Sequence, residues 1–383
     1  MTSTTAPRLA MVAGEASGDL LAGLLLGGLR QRWPGLSASG IGGARMAAQG
    51  FVSHWPMERL SVFGYVDALK RLPELLRTRR QLGDRLIAER PAAFIGVDAP
   101  DFNFGLETRL RAAGLKTVHF VCPSIWAWRG ERVAKLKAAA DHVLCLFPFE
   151  PELLQHHGIA ATYVGHPLAD AIPLQAPRAA ARQALGLAEG DTVVALLPGS
   201  RRSEINHIAP RLLAAAALMQ RQRPALRFVM PVVPGLGGLV DPLIAQHATG
   251  VALQRLDGRS HEALAACDLT LVASGTATLE AALFKRPMVI TYHLSWLNWQ
   301  RMKRMRYQPW VGLPNILSRD FVVPELIQDE ATPEALAREG LALLNDAARR
   351  DALVHRFTDL HHLLRQNTAQ RAADALAQVL EGA

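Results

Sequence analysis

Carboxylates, arginines and glycines able to do chemistry gather in four short stretches, each directly behind an apolar run. In "GVDAPDFN", Asp98 follows the run Ala92–Val97. An aspartate at the carboxyl end of a strand can take a proton from an attacking hydroxyl, a role worth about 10²–10⁴-fold in rate. The competing use is a cap on the helix near Asn103, with Asp101 and Asn103 in the same loop. The spacing is not that of a metal site. In "PGSRRSEI", Gly199 allows close backbone approach, Ser203 is placed to cap the next helix, and Arg201 and Arg202 offer cationic forks for phosphate. An ordinary strand-to-helix turn with exposed arginines fits that stretch equally well.

In "LTLVASGTATLEAAL", Ser274, Gly275 and Thr276 leave N–H groups free at a helix start. Glu280 shares a helix face with Thr276, where its carboxylate can accept bonds from both ribose hydroxyls. The alternative is a small-residue helix start packed under a sheet, with Glu280 in solvent. Two such loops in one half of the chain favour a nucleoside diphosphate. The fourth stretch, "VAGEASGDLLAGLLLGGL", has Gly14 and Gly18 where a phosphate loop would have them. Glu15 and Asp19 would repel a diphosphate, so the loop's outline and its charge point to different ligands. Asp19 then favours the helix N-terminus through its dipole.

The elements that must position these residues alternate. Apolar runs at Leu9–Ala13, Ala92–Val97, Thr117–Val121, His142–Phe147 and Thr162–Val164 predict strands. Helix-period segments between them cover Asp19–Arg32, Val66–Glu89, Gly105–Ala113, Glu131–Ala139 and Glu150–His157. The stretch "HPLADAIPLQAPRAAARQALG", with Pro167, Pro173 and Pro177, predicts a linker. Alternation then resumes with strands Thr192–Leu197, Arg227–Val233, Val251–Gln254, Leu269–Ala273 and Pro287–Thr291 and helices Ile205–Gln222 and Thr276–Phe284. Two α/β halves in tandem follow, each a parallel sheet covered by helices. Open sheets of this kind bind ligands at strand carboxyl ends, which predicts a site in a cleft between the halves.

Composition narrows the function classes. The chain has 383 residues, 50% of them hydrophobic, enough for two cores, and a formal net charge of +8 that favours anionic partners. The three cysteines, Cys122, Cys145 and Cys267, lack metal-ligand spacing and suit a cytoplasmic protein. The first residues lack a basic region before an apolar core, and Leu20–Leu29 is half the roughly 20 residues of a membrane span. Neither a Walker pattern nor GxGxxG occurs.

Two regions suggest surfaces. In "CPSIWAWRGERVAKLK", Trp126 and Trp128 precede Arg129, Arg132, Lys135 and Lys137. Single-stranded nucleic acid, the phosphate of a small acceptor and a solvated basic helix all fit that pattern. In "YVDALKRLPELLRTRR", Tyr65, Leu69, Leu72 and Leu76 fall at helix spacing beside Val66 and Leu75, among Lys70, Arg71, Arg77, Arg79 and Arg80. That stripe is either a core face or a helix lying on an anionic membrane. Between Glu280 and Asp320 no acid occurs, while Tyr292, Trp296, Trp299, Tyr307 and Trp310 lie beside Arg301, Lys303, Arg304 and Arg306, a composition typical of interfaces.

Jointly, "AGEASGDLLAG", "GVDAPDFN", "PSIWAWRGERV", "GHPLAD", "LLPGSRRSEI", "SGTATLEAAL" and "GLPNILS" resemble the lipid-A-disaccharide synthases of Gram-negative bacteria, from the first strand to about Gln328. The resemblance implies a GT-B glycosyltransferase: an acceptor-side Rossmann-like domain over 1–170, a UDP-sugar domain over 171–356, and a last helix, about 357–383, packing back on the first domain. It implies an inverting mechanism with no metal or cofactor, UDP-2,3-diacylglucosamine as donor and 2,3-diacylglucosamine 1-phosphate as acceptor. The family's base falls on Asp98 and its diphosphate arginine on Arg201. Nucleotide contacts fall on Ser274, Gly275, Thr276 and Glu280, with Asn315 nearby, and the sugar side on Gly14, Glu15 and Ser17. It further implies a protein on the cytoplasmic face of the inner membrane and a homodimer with exchanged C-terminal segments; since multi-acyl sugars stay in the membrane, the stripe Val66, Leu69, Leu72 and Leu76 is the expected docking face. A UDP-N-acetylglucosamine 2-epimerase on the same fold and a basic nucleic-acid-binding protein are the competing assignments.

Overall fold

The computed structural model describes residues 6–60, 65–126, 130–294, 299–300 and 308–381, and for 65–70 the backbone alone. The chain divides into two compact units, Met1–Asp170 with Leu364–Ala383, and Ala171–Leu363.

The first unit is built on strands β1 (Arg8–Ala13), β2 (Ser37–Ile41), β3 (Val52–Trp55), β4 (Ala93–Val97), β5 (Thr117–Phe120), β6 (His142–Cys145) and β7 (Ala161–Tyr163). They form one sheet in the order β3-β2-β1-β4-β5-β6-β7, all pairs parallel. The central strands are continuous apolar runs because helices cover both faces, so β4 is buried at every position. β2 and β3 have no such run. β2 is "SASGI", whose small residues lie close beside β1, and a Cβ at Gly40 (φ +147°) would sit 2.0 Å from the Met11 carbonyl oxygen. β3 is an edge strand that leaves Val52 exposed.

The last helix, Thr368–Glu381, belongs to this first unit. Asp170 accepts the N–H groups of Asn367 and Thr368 at 3.0 and 2.6 Å. A Cβ on Gly28 would fall 1.8 Å from that of Ala369, so only glycine lets this helix lie against helix Ala16–Arg32. Arg32 closes the contact on Asp374 at 2.6 Å.

The second unit holds β8 (Val193–Leu197), β9 (Arg227–Val232), β10 (Leu253–Asp257), β11 (Leu269–Ala273), β12 (Met288–Tyr292) and β13 (Glu325–Ile327). Their order is β10-β9-β8-β11-β12-β13, again all parallel. The segment expected as a linker contains two helices, Pro167–Ala171 and Arg178–Leu185. Pro167 opens the first helix, where its fixed φ suits a first turn, Pro177 directly precedes the second, and Pro173 lies between them. Arg182 is buried there, bonding the carbonyls of Ala266 and Ala188 and the Asp268 carboxylate.

Candidate active site

Each sheet begins in its middle. In the first unit the chain runs outward one way from β1 and later outward the other way from β4, so the order reverses between them. The second unit repeats this between β8 and β11. Loops diverge at such a reversal and leave room for a ligand at the strand carboxyl ends. All but one of the expected catalytic and ligand residues sit at these two places.

In the first unit, Ala13 is paired with Val97, so the loop after β1 and the turn after β4 are neighbours. A Cβ on Gly14 would lie 3.0 Å from that of Ala99. Glycine there lets two turns pass, so the close approach is to protein. Glu15 and Ser17 are exposed at the start of helix Ala16–Arg32, and Glu15 makes no side-chain cap. Asp19 is buried and serves another segment: its carboxylate accepts the N–H groups of Gly43, Arg45 and Met46 at 2.8, 2.9 and 3.1 Å. It fixes the turn after β2, a long-range task beyond the dipole effect read from the sequence.

Asp98 and Ala99 both have left-handed backbone, with φ +48° and +45°. Such strain in non-glycine residues is costly and collects at functional sites. The following helix starts at Pro100, so Asp101 and Asn103 are helical, and Ala99 occupies the cap position with no side-chain bond. The Asp98 carboxylate is therefore not the helix cap. Burial pushes that carboxyl above the usual aspartate range, and Glu15 pushes it the same way. His119, the Ala99 N–H and Arg132 oppose the shift. Asp101, the exposed neighbour, is bound to Arg132 at 2.8 Å.

Beneath this turn lie three buried polar side chains that sequence reasoning missed as site residues. Asn103 donates to the carbonyls of Val12, Val97 and Asp98, tying together the ends of β1 and β4. His119 on β5 bonds Glu107 through Nδ1 at 2.8 Å, both fully buried. The available signal was polarity inside apolar text, "FNFGLE" and "TVHFV".

In the second unit, Val272 pairs with Leu197, which sets the loops after β8 and β11 side by side. Gly275 has φ +146° and nothing within 4 Å of a built Cβ, so glycine is required by the backbone and the space above it is open. Gly275 caps the helix Thr276–Leu283, whose first N–H groups lack intrahelical partners. Ser274 spends its hydroxyl on the Val311 carbonyl at 2.8 Å. Glu280 is held by His261 at 3.2 Å.

The loop after β8 differs from expectation in its cap. The helix begins at Arg202, and Glu204 rather than Ser203 closes it. The Glu204 carboxylate accepts the N–H groups of Ser200 and Arg201 at 3.0 and 3.2 Å and pairs with the Arg201 guanidinium at 3.0 Å. An anion arriving here meets the exposed arginine rather than those amides.

Asn315 is the exception among the expected contacts. It is fully buried, donates to Val323 and Glu325 and accepts from the Val323 N–H. Glu325 also accepts the N–H groups of Val311 and Gly312. Asn315 thus shapes the segment that receives the Ser274 hydroxyl, and its own side chain is committed to protein.

The apolar stripe of helix Tyr65–Glu89 splits in two. Leu82 and Leu86 are core and Leu75 packs on them, whereas Leu72 and Leu76 are exposed at 46% and 44%. The side chains of Tyr65, Val66, Leu69 and Lys70 lie outside the described residues, as do Trp128, Arg129, Trp296, Arg301, Lys303, Arg304, Arg306 and Tyr307. No helix among the described residues is long and apolar enough to cross a membrane. Trp126 donates to the buried Glu150 at 3.0 Å, and Lys137 bonds the His157 carbonyl.

A family model described as lipid-A-disaccharide synthetase matches residues 9–379. A lipid-A-disaccharide synthase from Verminephrobacter eiseniae (strain EF01-2) is 60% identical over 379 residues, 97% of each chain. The chain belongs to the lipid-A-disaccharide synthase family. It is a hexosyltransferase of lipid A disaccharide synthesis. Its fold is similar to that of the Neisseria meningitidis UDP-GlcNAc 2-epimerase bound to UDP-GlcNAc, with TM-score 0.69, 11% identity and coverage of 97% and 100% of the two chains. It is also similar to Anabaena HepE in complex with UDP and glucose, with TM-score 0.58, 15% identity and coverage of 97% and 100%. Such remote likenesses speak for the GT-B fold alone. The epimerase and nucleic-acid assignments give way to the synthase family, whose likeness extends along nearly the whole sequence.

Proposed function

We propose that this synthase transfers 2,3-diacylglucosamine from UDP-2,3-diacylglucosamine to the 6-hydroxyl of 2,3-diacylglucosamine 1-phosphate, with inversion. The products are the β-1,6-linked lipid A disaccharide 1-phosphate and UDP. The observation that carries the reading is Asp98, a carboxylate in a strained turn at the reversal of the first sheet, with no cap to serve. In one displacement the acceptor oxygen bonds the anomeric carbon as the bond to the diphosphate breaks. Asp98 takes the hydroxyl proton, and the leaving group carries the bonding pair to UDP. Glu15 and Ser17 hold sugar hydroxyls beside the Gly14 turn.

The second unit receives the leaving group. Arg201 and the N–H groups that begin at Gly275 and Thr276 neutralise the diphosphate, beside the Ser274 turn. Glu280, oriented by His261, accepts the ribose hydroxyls. The deciding experiment incubates the protein with UDP-2,3-diacylglucosamine and follows UDP. Release that requires the monosaccharide 1-phosphate acceptor is expected; release without it, or an epimerised nucleotide sugar, rejects the reading.

Each buried methylene is worth about 0.8 kcal/mol, so substrates with several acyl chains stay in the bilayer. The enzyme meets them at its surface, through a docking face at Val66, Leu69, Leu72 and Leu76. Exposure of Leu72 and Leu76 beside exposed Arg77 and Arg80 supports that face. Replacing Leu72 and Leu76 by serine together should abolish flotation with anionic vesicles and leave unfolding within about 0.5 kcal/mol. Retained flotation removes the docking role.

A further inference from the structure

A buried carboxamide grips the turn that presents Asp98. Asp98 and Ala99 are both left-handed, with φ +48° and +45°. Aspartate visits that region with the help of its short polar side chain, whereas the Cβ of alanine disfavours it. Such strain persists only where the surroundings over-determine it. Here the backbone of Asp98 is held on both sides. Its N–H bonds the Phe120 carbonyl on β5 at 2.9 Å, and its carbonyl accepts the Asn103 carboxamide at 2.8 Å. The same Nδ2 reaches the carbonyls of Val12 and Val97 at 3.3 and 3.4 Å, so the bond to Asp98 is the shortest of the three. Three carbonyls around one nitrogen also fix which way the amide points, because a flipped oxygen would face them all. Asn103 is wholly buried, and its Cβ lies 3.1 Å from one built on Gly96, so glycine on β4 admits it. Among the described residues Asn103 Oδ1 has no hydrogen-bond partner. A buried amide with an idle oxygen calls for an explanation, and its donors supply one.

We propose that Asn103 is a positioning residue for the transfer: its carboxamide holds the left-handed Asp98–Ala99 turn and so sets where the Asp98 carboxylate meets the acceptor hydroxyl. The inference rests on Asp98 being the base. Asn103 itself touches no substrate and exchanges no proton. The turn is also bonded forward, since the N–H groups of Phe102 and Asn103 both reach the Ala99 carbonyl at 3.0 Å. Those bonds join it to the helix Pro100–Ala112 that carries the carboxamide. Loss of the carboxamide therefore releases the Asp98 carbonyl first, and the base moves with it. Arg201 and Gly275 belong to the other unit and keep their places.

The test is Asn103→Leu, close in size but without the donors, assayed with both substrates saturating. Its kcat should fall by about ten- to a hundredfold, the cost of a reacting group misplaced by about 1 Å, while acceptor KM and UDP affinity hold. A folded variant with wild-type kcat overturns the proposal, and so does a loss that falls on KM alone. Adding Ala99→Gly separates positioning from packing, because glycine takes a positive φ without the strain that Asn103 opposes. The double variant should turn over faster than Asn103→Leu; an equal or slower kcat overturns the proposal. Asp98→Asn tests the reading beneath it. Retained turnover there removes the base, whereas an inactive Asp98→Asn beside a fully active Asn103→Leu removes only the positioning. Where leucine prevents folding, Asn103→Ser takes its place under the same criteria. The wild-type enzyme needs no variant: by ¹⁵N-resolved hydrogen exchange its Asn103 carboxamide should be protected like the backbone amides of β4. Exchange as fast as that of an exposed amide overturns the proposal.

Discussion

The two sheet reversals share an architecture and differ in charge. Around β1 and β4 stand carboxylates, Glu15 and Asp98, over a buried Glu107–His119 pair. Around β8 and β11 stand an exposed arginine and a helix N-terminus opened by Gly275. The glycines differ as well. Gly14 is glycine because Ala99 fills its side, whereas Gly275 is glycine because of its φ and has open space above it. A glycine-rich loop is therefore no ligand class in itself. What surrounds the missing Cβ decides whether it packs or binds. On the proposed function, the same Rossmann-like scaffold would serve proton removal in one unit and phosphate neutralisation in the other, because the charges are carried by loops rather than by the sheet.

Breaking the acidic side should have the largest effect. Asp98→Asn should lower turnover by about 10²–10⁴-fold while UDP affinity, read by calorimetry, is retained. Joint loss of both would mean that Asp98 shapes the fold. The same variant should raise the melting temperature. The folded carboxyl titrates above its unfolded value, so the unfolded chain sheds its proton first. Stability then falls as pH rises from the ordinary aspartate range to the raised folded one, and that loss is present at neutral pH. Asparagine does not titrate and so escapes that loss, and an unchanged or lower melting temperature at pH 7 contradicts this account.

On the cationic side, Arg201→Ala should weaken UDP binding by about ten- to a hundredfold, the worth of charge-assisted hydrogen bonds. Uridine binding should scarcely change; an equal loss for uridine would place the arginine away from the phosphates. The smallest expected effect is Gly275→Ala. The site has room for the methyl group, so its cost is backbone strain alone, about 1–3 kcal/mol in denaturant unfolding. A neutral outcome would show that the turn relaxes, and would dissolve the contrast with Gly14.

Legibility in the sequence followed burial. β4 and β11 are apolar throughout because both faces are covered, and their text alone marks them. β2, β3 and β13 escaped because small or edge strands need no apolar run, so nothing in "SASGI" or "VSHW" stands apart from loop text. Asp98 and Arg201 could be singled out because Asp98 directly follows an apolar run and Arg201 stands four residues behind another, in the loop after Leu197. Glu204 and Glu325 were not, since each acts by accepting N–H groups of a loop whose path only the fold defines.

The sequence by itself determined the alternation of elements, the residues at strand ends and the family, because periodicity and local motifs are properties of neighbours along the chain. The tertiary structure alone decided which of those residues are committed to protein. Asp19 belongs to the turn at Gly43, Asn315 to Val323 and Glu325, and Asp98 to no cap. It also made two unremarked polar residues, Glu107 and His119, into a buried pair on helix Pro100–Ala112 and β5. A hydrogen bond between separate elements depends on distances that spacing along the chain does not encode. The same carboxylate group therefore becomes a cap or a brace only once the sheet has formed.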